Sequence, residues 1–339
     1  MSATVAIRQI RSATGHWSEL ALRCPACSGE MGLLITTAER AQDKVACAAC
    51  TYVMRRIDGI WRAMRPGRAS LLSEPLSSYE AVRKAEGRWS NDAEFYLSLP
   101  FKDTTGRFAE QWRIRARSFR FMTRKLLPIC VRKAGKERLR IIDIGSGNCW
   151  MSYRLSLAGH LPVAADLSVN PLDGLGAGRH YGNADEPDFP RFQAEMDRLP
   201  FTAGQFDVAI FNASFHYARD YEAALRETLR VLRPGGAILI ADSPTYSKEA
   251  DGEAMKREKS DEFLRRYGTD RGNMGGQEYL TPETLARLEK TGIRWRRYSP
   301  WRGWRWALRP FLARIAGRRK PSRFHIYLGT ANAEATEAQ

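Results

Sequence analysis

No apolar stretch in the 339 residues approaches the length needed to cross a bilayer, and the N-terminus has no hydrophobic signal core. A cytoplasmic location is expected on those grounds. Acids are also in short supply: 38 Asp and Glu stand against 54 Lys and Arg, a formal net charge of +16. The deficit is concentrated in two stretches. Arg294 to Arg323 holds eleven Arg or Lys and no acid, and Lys102 to Arg140 holds thirteen basic residues against Asp103, Glu110 and Glu137. This balance suits an anionic partner, whether RNA, a membrane surface or a phosphorylated substrate. A solvated basic face is the plain alternative. With 43% hydrophobic and 27% charged residues, the composition excludes a disordered chain, and the length leaves room for a large domain plus a smaller one.

Ile141-Ile142-Asp143-Ile144-Gly145-Ser146-Gly147 is a short β-branched run that breaks into a glycine turn, reading as a buried strand of a parallel sheet. Apolar residues from Met151 to Ala158 recur at helical spacing, so the turn opens onto a helix N-terminus, which attracts negative charge. Val163-Ala164-Ala165-Asp166 is a second strand ending in a carboxylate about twenty residues on, where a Rossmann-like site places its ribose-binding acid. Phe192 to Phe201 puts Glu195 and Asp197 after a third strand. Phe206 to Asn212 is a fourth strand, and Leu232 to Ile240 is a turn feeding a fifth.

In this order the segments from Arg140 to Ile240 resemble the class I S-adenosylmethionine (SAM)-dependent methyltransferases, particularly the ubiquinone and menaquinone methyltransferase subgroup. Cys149 departs from the pattern, standing where many members have a third glycine. The resemblance implies an α/β fold with a Rossmann-like seven-stranded sheet and SAM as cofactor. Gly145 and Gly147 would pass under the methionine part, with Asp143 beside its amino group. Asp166 would bind the ribose hydroxyls, Glu195 the adenine amino group, the Met196 backbone would meet the ring, and Asn212 would line the methionine side. His216, just past the fourth strand, is the candidate general base, with Tyr217 a weaker one.

Cys24-Pro25-Ala26-Cys27 and Cys47-Ala48-Ala49-Cys50 form two C-x2-C pairs separated by nineteen residues. That spacing places four thiolates around one tetrahedral Zn2+ with no open position, a structural rather than catalytic site. Residues 22–64 resemble the zinc-ribbon activator subunits of methyltransferases and the N-terminal ribbon of the rRNA guanine-N1 methyltransferases. The remaining expected organisation is an arm over 1–21, a linker over 65–78 and a helical cap over 79–128. The methyltransferase domain follows over 129–330, and a disordered tail over 331–339. A lid insertion is expected at 245–279, with its glycine loop at Arg271 to Gly276. Phe108, Trp112, Phe119, Met122 and Leu126 make a helical stripe ending before Pro128, with Arg113, Arg117, Arg120 and Arg124 on the opposite face.

A second insertion, 299–321, alternates Trp301, Trp304 and Trp306 with arginines. Indoles beside arginines suit an anionic membrane surface or RNA, or the tryptophans pack beneath the zinc ribbon. No Asn/Asp-Pro-Pro-aromatic signature follows the fourth strand, which argues against adenine-type amino methylation. The acceptor is expected to be small or lipid-like, with the enzyme cytoplasmic and peripheral at the inner face of the membrane. The alternatives are rRNA or tRNA methylation and a non-catalytic ribbon module that retains SAM.

Overall fold

The computed structural model describes residues 20–33, 44–183, 186–187, 189–268 and 275–331. Most of the expected arm, positions 271–274 of the glycine loop and nearly all of the expected tail lie outside the described residues. One eleven-stranded sheet runs through the molecule. Its first four strands, β1 (Met31–Leu33), β2 (Lys44–Cys47), β3 (Val53–Ile57) and β4 (Ile60–Arg62), form an antiparallel ribbon. The other seven are β5 (Arg140–Ile144), β6 (Leu161–Asp166), β7 (Arg191–Gln193), β8 (Phe206–Asn212), β9 (Leu232–Ala241), β10 (Ile293–Tyr298) and β11 (Ile326–Ala331). Their spatial order is β7-β6-β5-β8-β9-β11-β10, parallel except for β11, which runs antiparallel to both neighbours. Every residue of β8 is buried, as expected of a central strand covered on both faces.

The sheet continues beyond the expected seven strands because the ribbon is joined to its edge. β4 pairs in parallel with β7, Trp61 opposite Phe192, and the two rings stack at 6.4 Å. The backbone N–H of Ala63 donates to the Gln193 carbonyl at 3.0 Å. An edge strand presents unpaired N–H and C=O groups that must be covered, and here the ribbon covers them.

Two expected boundaries move. Most of the expected linker is helical: α1 (Arg68–Glu86) runs through Pro75. Local propensity argues against a helix there, but long-range anchors outweigh it. Arg68 pairs with Glu195, Glu80 accepts from Ser168 Oγ and Asn170 Nδ2 at 2.6 and 3.1 Å, and Arg83 pairs with Asp173. After α2 (Ala93–Ser98), the stripe does not stop before Pro128. α3 (Ala109–Phe121) passes through a π-helical turn, Met122–Leu126, directly into α4 (Leu127–Ala134). Pro128 sits in the first turn of α4, where its missing N–H costs nothing. Trp112, Phe119, Met122 and Leu126 are all buried.

Later elements are α5 (Trp150–Leu157), α6 (Tyr221–Val231), α7 (Glu249–Tyr267), α8 (Pro282–Glu289) and α9 (Trp304–Ile315). Thr281 caps α8, its hydroxyl accepting from the Thr284 N–H at 3.1 Å. Among the described residues the Trp/Arg-rich segment does not meet the ribbon. The sheet places the ribbon at one edge and β10, which precedes α9, at the other, and Trp306 packs on Phe324 instead. Among the described residues no helix is long and apolar enough to cross a membrane.

Candidate active site and metal centre

At the C-terminal ends of β5, β6, β8 and β9 lies a cavity of about 1860 Å³, roofed by α1, α3, α7 and α9. The turn after β5 supplies its floor. Gly145 and Gly147 have φ of +72° and +53°, a region that disfavours side chains. A Cβ on Gly145 would stand 2.3 Å from Ser214 Cβ, so the space cleared there is filled by protein; Ser214 Oγ donates to the Ile144 carbonyl at 2.6 Å. A Cβ on Gly147 would meet nothing closer than 3.9 Å. That position faces the open cavity. Cys149, at φ +65°, is buried in the left-handed region that glycine adopts most readily.

Asp166 ends β6 beside this turn. Its Oδ2 accepts from the Gly147 N–H and its Oδ1 from the Ser168 N–H, both at 2.8 Å. Each oxygen keeps a second lone pair for a ligand, so the carboxylate can still accept from a diol. Burial raises its pKa, and the two N–H donors oppose that shift.

The expected site residues divide into two groups. Gly145, Gly147, Asp166, Met196, Asn212 and His216 line the cavity together, with Tyr217 beside them. Asp143 does not; it lies behind the wall, 1% exposed. Ser152 Oγ donates to its Oδ2 at 2.8 Å, its Oδ1 has no partner, and burial pushes its pKa up to about 7. A half-satisfied buried carboxylate of this kind favours a cation nearby. Glu195, expected beside the adenine amino group, is not among the residues lining the cavity. Arg68 Nε donates to both its oxygens at 3.0 and 3.1 Å, and Arg65 stands 3.7 Å away. Its neighbours Ala194 and Met196 face the cavity instead.

The wall at the ends of β8 and β9 is organised by a residue that the sequence marks only as a strand end. Asp242, buried at the end of β9, accepts from Ser118 Oγ at 2.6 Å and Asn212 Nδ2 at 3.1 Å, and pairs with Arg302 at 3.4 Å. It ties β8, β9, α3 and the approach to α9 into one network. His216 Nδ1 lies 3.2 Å from Ser243 Oγ, within hydrogen-bond reach. Tyr217 packs edge-on against Tyr79 of α1 at 5.9 Å.

In the ribbon, the sulfurs of Cys24, Cys27, Cys47 and Cys50 lie within 4.8 Å of one another, with 3.7 Å between Cys24 and Cys50 and 3.4 Å between Cys27 and Cys47. A tetrahedron with 2.3 Å zinc–sulfur bonds has edges of about 3.8 Å, so the donor set fits zinc. The N–H groups of Gly29 and Ala49 donate to Cys27 and Cys47 sulfurs at 3.4 and 3.3 Å. The Gly29 bond and the neighbouring thiols pull Cys27 down to about 7, toward the thiolate that a metal requires.

This strand order, with a glycine turn after β5 and an acid ending β6, is that of the class I SAM-dependent methyltransferase fold. The chain is an enzyme of that class, and residues 142–240 match the family described as "Methyltransferase domain". It is 28% identical over 183 residues to the demethylmenaquinone methyltransferase of Mycolicibacterium vanbaalenii, a match covering 49% of this chain and 76% of that protein. The namesake from Mycolicibacterium gilvum is 32% identical over 120 residues, covering 34% of this chain and 49% of the relative; the chain thus spans about half the length of that relative. Among solved structures, the SAM-dependent methyltransferase of Mesorhizobium loti aligns with 57% of this chain and 91% of its own at 20% identity, with a TM-score of 0.41.

Proposed function

We propose that the enzyme methylates a lipid-like or other small amphiphilic acceptor met at the inner face of a membrane, and that its ribbon holds a structural zinc. The carrying observation is the outer wall of the cavity. α9 has no buried residue, and Leu308 and Leu312 line the cavity while Trp304, Phe311 and Ile315 stay 77%, 61% and 69% exposed. An apolar helix face flanked by Arg305, Arg309 and Arg314 suits an anionic membrane surface. An acceptor could then pass from that surface into the site. The relatives named for demethylmenaquinone support the same reading.

When bound, SAM supplies an electrophilic methyl group on a sulfonium sulfur. Asp166 would accept from the two ribose hydroxyls, and Met196, which lines the same cavity, would meet the adenine. Asp143 acts at longer range, its charge favouring the ammonium group. His216, held near Ser243, takes the proton released by the acceptor. Asn212, fixed by Asp242, walls the methionine side. The roof helices exclude water, which suits a reaction that disperses charge.

RNA is the second reading, favoured by the net charge of +16. Incubating the enzyme with methyl-labelled SAM and cell lysate, then partitioning the label, separates the readings. Label in the organic extract supports the lipid-like acceptor, whereas label in nuclease-sensitive RNA overturns it. No transfer despite tight S-adenosylhomocysteine binding would leave a non-catalytic module.

A further inference from the structure

Ten arginines or lysines and five acids line the cavity among the described residues. Three of those acids are already matched, Asp173 by Arg83, Glu258 by Arg319 and Asp242 by Arg302. SAM is itself a net cation, its sulfonium and ammonium outweighing its carboxylate. A positive cavity that takes a cationic cofactor is left short of negative charge, and the acceptor is the component still able to bring it.

Two of these cations stand out. Arg115 of α3 lies over the Trp112 ring at 4.6 Å, and Arg309 of α9 lies over the Trp306 ring at 3.9 Å. Among the described residues neither has an acid within ion-pair distance. Stacking occupies the flat face of a guanidinium and leaves its N–H edge for a ligand, the edge that matches carboxylate or phosphate oxygens. Burial, with Arg83 and Arg88 nearby, lowers Arg115 to about 10, the mark of a desolvated cation lacking a counter-ion. The two helices are locked together: Arg117 donates to the Arg302 carbonyl, and Arg302 Nη1 donates to the Ile114 carbonyl at 3.2 Å. Each of the two acid-poor stretches therefore contributes an indole-packed guanidinium with no ion pair among the described residues to the same cavity.

We propose that the methyl acceptor bears an oxyanion, a phosphate or carboxylate, received by Arg115 and Arg309 while its apolar body lies along Leu308 and Leu312. This rests on the cofactor site proposed above. Full-length wild type, Arg115→Gln and Arg309→Gln, each saturated with S-adenosylhomocysteine, are titrated with octyl phosphate, octanoate and octanol. Wild type should bind one of the anions at least about tenfold more tightly than octanol, and each substitution should remove about tenfold of that affinity or more. The anion with the larger loss identifies the headgroup. S-Adenosylhomocysteine affinity, which also reports that the variants are folded, should stay within about twofold. Arg115→Lys, with the charge but not the fork, should fall between. Anion binding equal to that of octanol, or unchanged in both variants, overturns the proposal. So does a loss of S-adenosylhomocysteine affinity in Arg115→Gln without a loss for 5′-methylthioadenosine, since the guanidinium would then serve the cofactor's own carboxylate. Wild type that fails to bind S-adenosylhomocysteine at all would instead sink the cofactor site, and this inference with it.

Discussion

Replacing Asp166 by Asn tests the cofactor placement most directly. The carboxylate takes one backbone N–H on each oxygen, from Gly147 and Ser168, both at 2.8 Å. An amide keeps the shape but offers one oxygen, so whichever way it turns, its NH2 faces one of those donors. The unsatisfied buried N–H costs about 1–3 kcal/mol of fold stability. On the ligand side the diol loses one acceptor and the negative charge, a loss of about 1.5–3 kcal/mol, or roughly tenfold to a hundredfold in Kd. Calorimetric titration with S-adenosylhomocysteine gives the second quantity, and thermal unfolding without ligand gives the first. Because burial raises the pKa of Asp166, wild-type affinity should also weaken as the pH falls through that raised value, when the acceptor becomes protonated. Asp166→Asn should lose that dependence. A folded variant that binds S-adenosylhomocysteine within about twofold of wild type would refute the diol assignment, since no charged hydrogen bond is lost so cheaply.

Asp143, raised to about 7 by burial, carries a pH signature of its own. Its folded pKa lies above the unfolded value of about 4, so the folded state binds the extra proton. Stability without ligand should therefore fall as pH rises from about 4 to 7, and Asp143→Asn should be the more stable protein at pH 8, on the order of 4 kcal/mol. Unfolding scans across that range check this, and a less stable variant at pH 8 counts against it. For the ribbon, metal analysis should find about one zinc per chain, as four thiolate ligands imply. Chelation should lower the unfolding temperature and promote aggregation, because β7 would lose the strand that covers it. An unchanged unfolding temperature after complete metal removal would show that the cysteines are not structural.

Much of the strand framework is legible in the sequence because buried parallel strands announce themselves. β8 is entirely buried around the apolar run Val208 to Phe211, β5 carries Asp143 one residue before its end at a glycine turn, and β6 ends in Asp166. The two pairs of cysteines are equally plain, their spacing being chemistry rather than propensity. What stays hidden depends on pairing across long separations. Asp242 meets Ser118 from 124 residues away, and Arg68 reaches Glu195 across 127. Nothing local distinguishes these charges from solvated ones. α1 illustrates the cost: Pro75 and the nearby Gly67 read as linker, whereas the salt bridges that hold the helix down are invisible until the chain is folded. Glu195 was similarly open to a ligand role in one dimension and is claimed by an arginine in three.

The joining of the ribbon to the sheet bears on why it shares a chain with the enzyme. Beyond the β4–β7 pairing, Arg198 reaches from the loop after β7 into the first cysteine turn, its Nε donating to the Pro25 carbonyl at 2.5 Å and its Nη2 to that of Ala26 at 3.2 Å. The Arg23 N–H donates to the Pro200 carbonyl at 3.1 Å. The loop so held carries Met196 and begins where Ala194 lines the cavity. A seven-stranded sheet alone would present β7 as an exposed edge and leave this loop pinned from one side. With the ribbon attached, both the edge and the far side of the loop are fixed by backbone groups whose own position depends on the four cysteines. Among the described residues no part of the ribbon lines the cavity, yet it holds the loop against which, on the proposed cofactor placement, a purine would lie.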